Sequence, residues 1–187
     1  MLPLPLRNRL AELILDSLRD PTARNTLSVL VRFCGEPEDA PAPPELAAEF
    51  PAALRKEHRR FRKELCDRAL NAWDVVRARA LAPAEPALAE ALDQAADLFD
   101  AGLFFEVHEL LEPYWMRGEG PAREALQGLI QVAVGFQHLA NGNLEGARML
   151  LQEGSAKVEG KKLEGRDLSG FGRAARLGAS PRFPRGG

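Results

Sequence analysis

Apolar residues recur along this chain at helical spacing almost throughout, and no segment pairs two-residue alternation with β-branched enrichment. That pattern limits the fold to one class: all-α, a compact multihelical bundle of two stacked helical hairpins with N-terminal helices packed on it. Leu6–Leu18 reads as a first helix, with Leu10, Leu13, Ile14 and Leu18 on one face. Asp20-Pro21 supplies an N-cap followed by a proline at the first helical position, opening a second helix to about Phe33. Gly35–Pro44 reads as a loop. A long amphipathic helix is expected over 54–80, with Leu54, Phe61, Leu65 and Trp73 on one face and basic residues, among them those flanking His58, in solvent.

Pro83 and Pro86 break the pattern before a central set of helices. One spans Ala87–Ala101 with Gly102 as its stop. Another spans Leu103–Glu112, where Pro113 kinks or ends it by removing a backbone donor. A longer helix runs from Pro121 to Asn141 with Gly142 as its stop, and Asn143 caps a further one. The domain reading is a helical extension over 1–80, a core over 81–163, and an irregular or partly disordered tail over 164–187, rich in Gly, Arg and Pro. Within the core, Phe99–Leu111 aligns with Leu139–Leu151, placing Gly102 on Gly142. Each copy reads helix, glycine turn, helix, in the style of tetratricopeptide repeats but at a forty-residue offset.

Composition removes several function classes. The net charge of -2 argues against a dedicated nucleic-acid binder. No apolar run approaches the roughly 18–20 residues of a membrane span, and the first residues lack a basic leader before an apolar core. Cys34 and Cys66 lie far apart with no C-x-x-C, so two reduced thiols and a cytoplasmic location are expected. Charge is segregated: nine Lys/Arg against four Asp/Glu over 54–80, then nine Asp/Glu against one Arg over 81–120. The basic helix and the basic residues after Gly154 are therefore expected to lie against the acidic middle through surface pairs.

The chemistry-bearing motif is His108-Glu109-Leu110-Leu111-Glu112-Pro113-Tyr114-Trp115, an H-x-x-x-E-x-x-W pattern in a helical stretch. Residues four apart share a helix face, and three more return Trp115 to that side. His108 and Glu112 fall at the edge of the apolar arc beside Phe105, while Glu106 and Glu109 point toward solvent on the wheel. On the following long helix, Gln127, Gln131 and His138 share one side and are expected to be half-buried. Gly128 and Gly135, two turns apart, permit close approach of a neighbouring helix.

Three readings fit these residues. His108, Glu112 and His138 could hold one divalent metal ion (zinc, iron or manganese), because two histidines and a carboxylate form an open ligand set. Gln127, Gln131, Trp115 and Phe105 would then line the pocket, and a metal-dependent hydrolase would be one outcome. The same residues could instead form a polar network in a non-catalytic helical module that binds a protein partner or self-associates. In the third reading, His108 and Glu112 work as an acid/base pair in a small-molecule pocket. Whether the chain is an enzyme stays open at this point.

The segment from about Ala91 to Val158 resembles a bacterial and archaeal family known as domain of unknown function 309. The resemblance rests on Phe105-Glu106-Val107-His108-Glu109 through Trp115, then Leu126–Gln131, His138, Gly142-Asn143 and Gly146-Ala147. It implies an all-helical fold and a suggested metal role for the H-x-x-x-E-x-x-W motif without an assigned reaction. That suggestion falls on His108, Glu112 and Trp115, of which Trp115 suits a packing wall because indole offers only a donor. The resemblance says nothing of the first eighty residues.

Overall fold

The computed structural model describes residues 2–50, 60–179 and 181–186. It is all-α apart from one two-stranded ribbon among those residues. The chain divides into two compact units, residues 1–85 and 86–187.

The first unit holds α1 (Leu4–Asp16), α2 (Pro21–Cys34), α3 (Pro44–Glu49) and α4 (Arg62–Arg77). Asp20 caps α2 as its sequence predicts, accepting the Thr22 N–H at 2.8 Å ahead of Pro21. Leu10, Ile14, Leu27, Leu30, Leu46, Ala69 and Val76 close the core. The expected loop over Gly35–Pro44 is present, and α3 begins at its last residue, opening with proline and burying Leu46. Of the expected 54–80 helix, α4 covers the later part, while Leu54 and His58 lie outside the described residues.

Cys34 and Cys66 form a disulfide, Cα–Cα 5.6 Å, correcting the expectation of two free thiols. Spacing along the chain could not reveal it, because α2 and α4 pack together and bring the end of one helix beside the early turns of the other. Arg62 reinforces the same junction. Its guanidinium lies 4.5 Å from the Phe33 ring centroid and donates to the Phe33 and Glu36 carbonyls, both at 2.8 Å, where α2 ends.

The second unit runs α5 (Leu88–Asp100), α6 (Phe104–Arg117), α7 (Gly120–Ala140), α8 (Leu144–Val158), a ribbon of β1 (Lys162–Leu163) and β2 (Arg166–Asp167), then α9 (Ser169–Arg176). Each helix packs on the next in sequence. The two helical hairpins of the internal repeat are present, and their turns match bond for bond. Leu103 N–H reaches back to the Leu98 carbonyl at 2.9 Å, and Asn143 N–H to that of His138 at 2.9 Å. Gly102 and Gly142 occupy the left-handed region at φ +75° and +76°, where any other residue would be strained.

The glycines of α7 do what their spacing predicts. A Cβ on Gly128 would lie 2.6 Å from Val158 Cγ1 and 2.9 Å from the Gly154 carbonyl oxygen; one on Gly135 would lie 2.8 Å from the Leu151 side chain. A Cβ on Gly154 of α8 would in turn meet the Gly128 oxygen at 2.8 Å and the Val132 nitrogen at 2.9 Å. Helices α7 and α8 therefore meet backbone to backbone.

Three local expectations are corrected. Pro113 does not end α6, which continues to Arg117. Only one turn follows the proline, and Tyr114 OH anchors it by donating to the Pro86 carbonyl at 2.6 Å. Glu106 does not face solvent; it is fully buried. Helix α6 packs against both α5 and α7, so more of its circumference is covered than a one-sided wheel allows. The stretch after residue 163, expected to be irregular, contains β2 and α9. The ribbon turn is Glu164-Gly165, both at positive φ, as a two-residue hairpin turn demands.

The acidic middle does pair with the later basic residues. Arg166, nearly buried, donates to Asp93 at 2.6 Å and to the Ala89 and Glu164 carbonyls. The segment 181–186 lies along α5. Phe183, 2% exposed, joins a cluster of Phe99, Phe104, Phe136 and Phe171 whose contacting ring centroids lie 5.0–5.6 Å apart. Arg185 donates to Asp97 at 2.7 Å and Asp100 at 2.8 Å, and these bonds to Asp100 and Asp97 raise its pKa.

Candidate functional site

Helix α6 carries the motif because Val107, Leu110 and Leu111 bury its apolar side, turning His108 and Glu112 to the margin. There His108 Nδ1 lies 3.2 Å from Glu109 Oε1, and Nε2 lies 4.0 Å from Glu112 Oε1. The imidazole is 29% exposed and the two carboxylates 38% and 43%. Phe105 stands beside it, ring centroids 6.1 Å apart. Glu109 thus joins the pair on its own helix, a role the wheel did not assign to it.

One turn on, Trp115 is half-buried, with the Arg123 guanidinium 5.1 Å from its ring centroid. Its indole nitrogen is buried and has no acceptor among the described residues. A buried donor without a partner is uncommon in a folded protein.

The residues of α7 are half-buried, as their sequence predicts, but they serve other contacts. Gln131 bridges to α8, donating to Glu153 Oε2 at 2.9 Å and accepting from Lys157 Nζ at 2.7 Å. His138 is held by Asn143: Asn143 Oδ1 accepts the Gly146 N–H at 3.0 Å, so its amide nitrogen is left to donate to His138 Nδ1 at 2.8 Å. With the Asn143 amide nitrogen as the donor, His138 Nδ1 is the acceptor. Gly146 makes the arrangement possible, since a Cβ there would lie 2.9 Å from His138 Nδ1. Asn143 and its capping role were legible in sequence; its hold on His138, and the need for Gly146, were not. Gln127 is half-buried on the same helix.

The polar residues therefore fall into three places rather than one cluster: His108 with Glu109 and Glu112 on α6, Gln131 between α7 and α8, and His138 at the α7–α8 turn. Among the described residues, no three His, Cys, Asp or Glu side chains are gathered closely enough to hold a metal ion. No helix among them is long and apolar enough to cross a membrane.

No curated protein and no solved structure matches the chain. Both glycine turns of the repeat, the whole H-x-x-x-E-x-x-W motif and the polar residues of α7 lie inside one matched span: residues 92–150 match the family described as Domain of unknown function (DUF309).

Proposed function

We propose that this chain is a non-catalytic helical binding module whose recognition surface is the α6 stripe of His108, Glu109, Glu112 and Trp115. One observation carries the reading. Gln131 and His138 are occupied in joining α7 to α8 and in fixing their turn, whereas His108, Glu109 and Glu112 contact one another on a single helix and remain half-exposed. Among the described residues, His108, Glu109 and Glu112 stitch no helix to another, and the buried indole N–H of Trp115, one turn on, has no acceptor. Two carboxylates around an imidazole, beside Phe105, suit a protein partner that presents a cationic side chain.

The test compares the parent chain with a His108→Ala/Glu112→Ala variant of equal melting temperature. A protein partner retained by the parent at defined stoichiometry and lost by the variant supports the module. Equal retention by both refutes the α6 surface. Elemental analysis of the same untagged samples tests the rival divalent-metal reading. Near-stoichiometric zinc, iron or manganese in the parent, lost in the variant, would replace the module with a metalloprotein and warrant a hydrolase screen. A cytoplasmic setting belongs to this proposal too, and the Cys34–Cys66 bridge gives a handle on it. Thiol blocking in intact cells before lysis reads whether both cysteines are free there.

A further inference from the structure

The segment Pro181–Gly186 lies on the second unit as a peptide lies on a receptor. It has no regular structure of its own. Phe183 supplies a single large anchor, buried among the rings of Phe99 and Phe171. On either side an arginine reaches an acidic rim on α5. Arg182 is 3.6 Å from Asp100, and Arg185 spans Asp97 and Asp100. The Phe183 N–H also donates to Asp100 Oδ1 at 3.3 Å. An aromatic anchor with polar contacts at its flanks is how grooves recognise short segments.

Two further features mark the groove as more than a resting place for this segment. The Arg182 side chain stays in water at 90% exposure, so its pair with Asp100 holds loosely. Beside the segment is a cavity of about 270 Å³, lined by Phe99, Phe104 and Phe136 together with Asp100, Pro181 and Arg182. The aromatic surface is thus wider than the single ring that occupies it.

We infer that the groove between α5 and the Phe99/Phe104/Phe136/Phe171 cluster is a peptide-binding site, held in cis by Pro181–Gly186. The partner that fits it is an extended segment of another protein with an aromatic residue flanked by arginines. The tethered segment competes at an effective concentration of about millimolar order, so an untethered segment binds only when it displaces the cis copy. The site is separate from the α6 stripe and stands whether or not that proposal holds.

The probe is a fluorescein-labelled pentapeptide, Pro-Arg-Phe-Pro-Arg, titrated by anisotropy into the full chain and into a full-length Phe183→Ala/Arg185→Ala variant. The variant is expected to bind at least tenfold more tightly than the parent, and a peptide with alanine in place of phenylalanine is expected not to bind. A folded variant that binds no more tightly than the parent overturns the inference. So does binding indifferent to the peptide's phenylalanine, which would be charge attraction alone. Should the variant melt, Arg182→Ala/Arg185→Ala, which leaves Phe183 in place, decides by the same comparison: a severalfold gain supports the groove, and no gain refutes it. Concentration-dependent dimers of the parent that dissociate on adding excess peptide would instead assign the groove to a second copy of this chain and overturn the hetero-partner.

Discussion

Replacing Gly154 by alanine tests the packing of α7 on α8, because the same substitution at Gly170 should have the opposite sign. Both glycines sit within helices and neither has a positive φ. At Gly170 an added Cβ meets nothing within 4 Å, so only the chain-entropy gain remains, about 0.4–1 kcal/mol of stabilisation. At Gly154 the Cβ would sit 2.8 Å from the Gly128 carbonyl oxygen and 2.9 Å from the Val132 nitrogen. Both are backbone atoms of α7, which cannot turn aside as a side-chain tip can. Overpacking of this kind costs about 1–3 kcal/mol, offset by roughly 1 kcal/mol of helix propensity. The expected net loss is up to about 2 kcal/mol. The two variants should then differ by about 2 kcal/mol, read by urea unfolding followed at the helical circular-dichroism band. In a domain of roughly a hundred residues each kcal/mol corresponds to about 4–8 °C in Tm, so thermal melts should separate them clearly. Gly154→Ala as stable as Gly170→Ala, with unchanged m-value, would refute backbone-to-backbone packing of α7 and α8.

Three other outcomes follow from named contacts. Cys34→Ser/Cys66→Ser should destabilise the first unit by about 4 kcal/mol, since the bridge joins residues 32 apart in the unfolded chain; thiol titration of the denatured, unreduced parent should find no free thiol. Asn143→Ala should cost about 1 kcal/mol through loss of the α8 cap and should also shift the His138 ring resonances in NMR spectra, which capping loss alone would not do. Asp167, whose pKa is lowered by its hydrogen bonds from Ser169, contributes stability that is fully present above the ordinary carboxylate range and is lost as pH falls through its depressed folded value. Acid melts of Asp167→Asn should lack that component, and an unchanged acid profile would show that the Asp167–Ser169 bonds add nothing to stability.

Short-range features of the fold were legible because their causes are local. The Asp20-Pro21 start of α2 and the stops at Gly102 and Gly142 depend on backbone geometry that neighbouring residues specify. The close approach of α8 to Gly128 and Gly135 followed from small residues two turns apart on one face. Features that depend on a distant partner were not legible. Nothing near Cys34 points to Cys66, and nothing near Arg166 points to Asp93 and Ala89. The β1–β2 ribbon has two residues per strand, too few for alternation to register, and its turn uses Glu164 where Asn or Asp would have signalled it. Helix α9 hides in a stretch whose Gly and Arg content reads as irregular, although Phe171 and Ala175 give it a buried face.

The candidate site divides along the same line. Sequence spacing placed His108, Glu112 and Trp115 on one stripe, and α6 carries them so, because a relation within one helix needs no tertiary information. Bringing His138 to that stripe required a relation between two helices, which spacing within one helix does not specify; at the α7–α8 turn Asn143 holds His138 Nδ1. The tight glycine turn at Gly142, with the Asn143 cap beside it, both shapes the repeat and holds His138. Altering that turn is the way to ask whether His138 can be freed for another role, whereas changes confined to α6 act on the stripe alone.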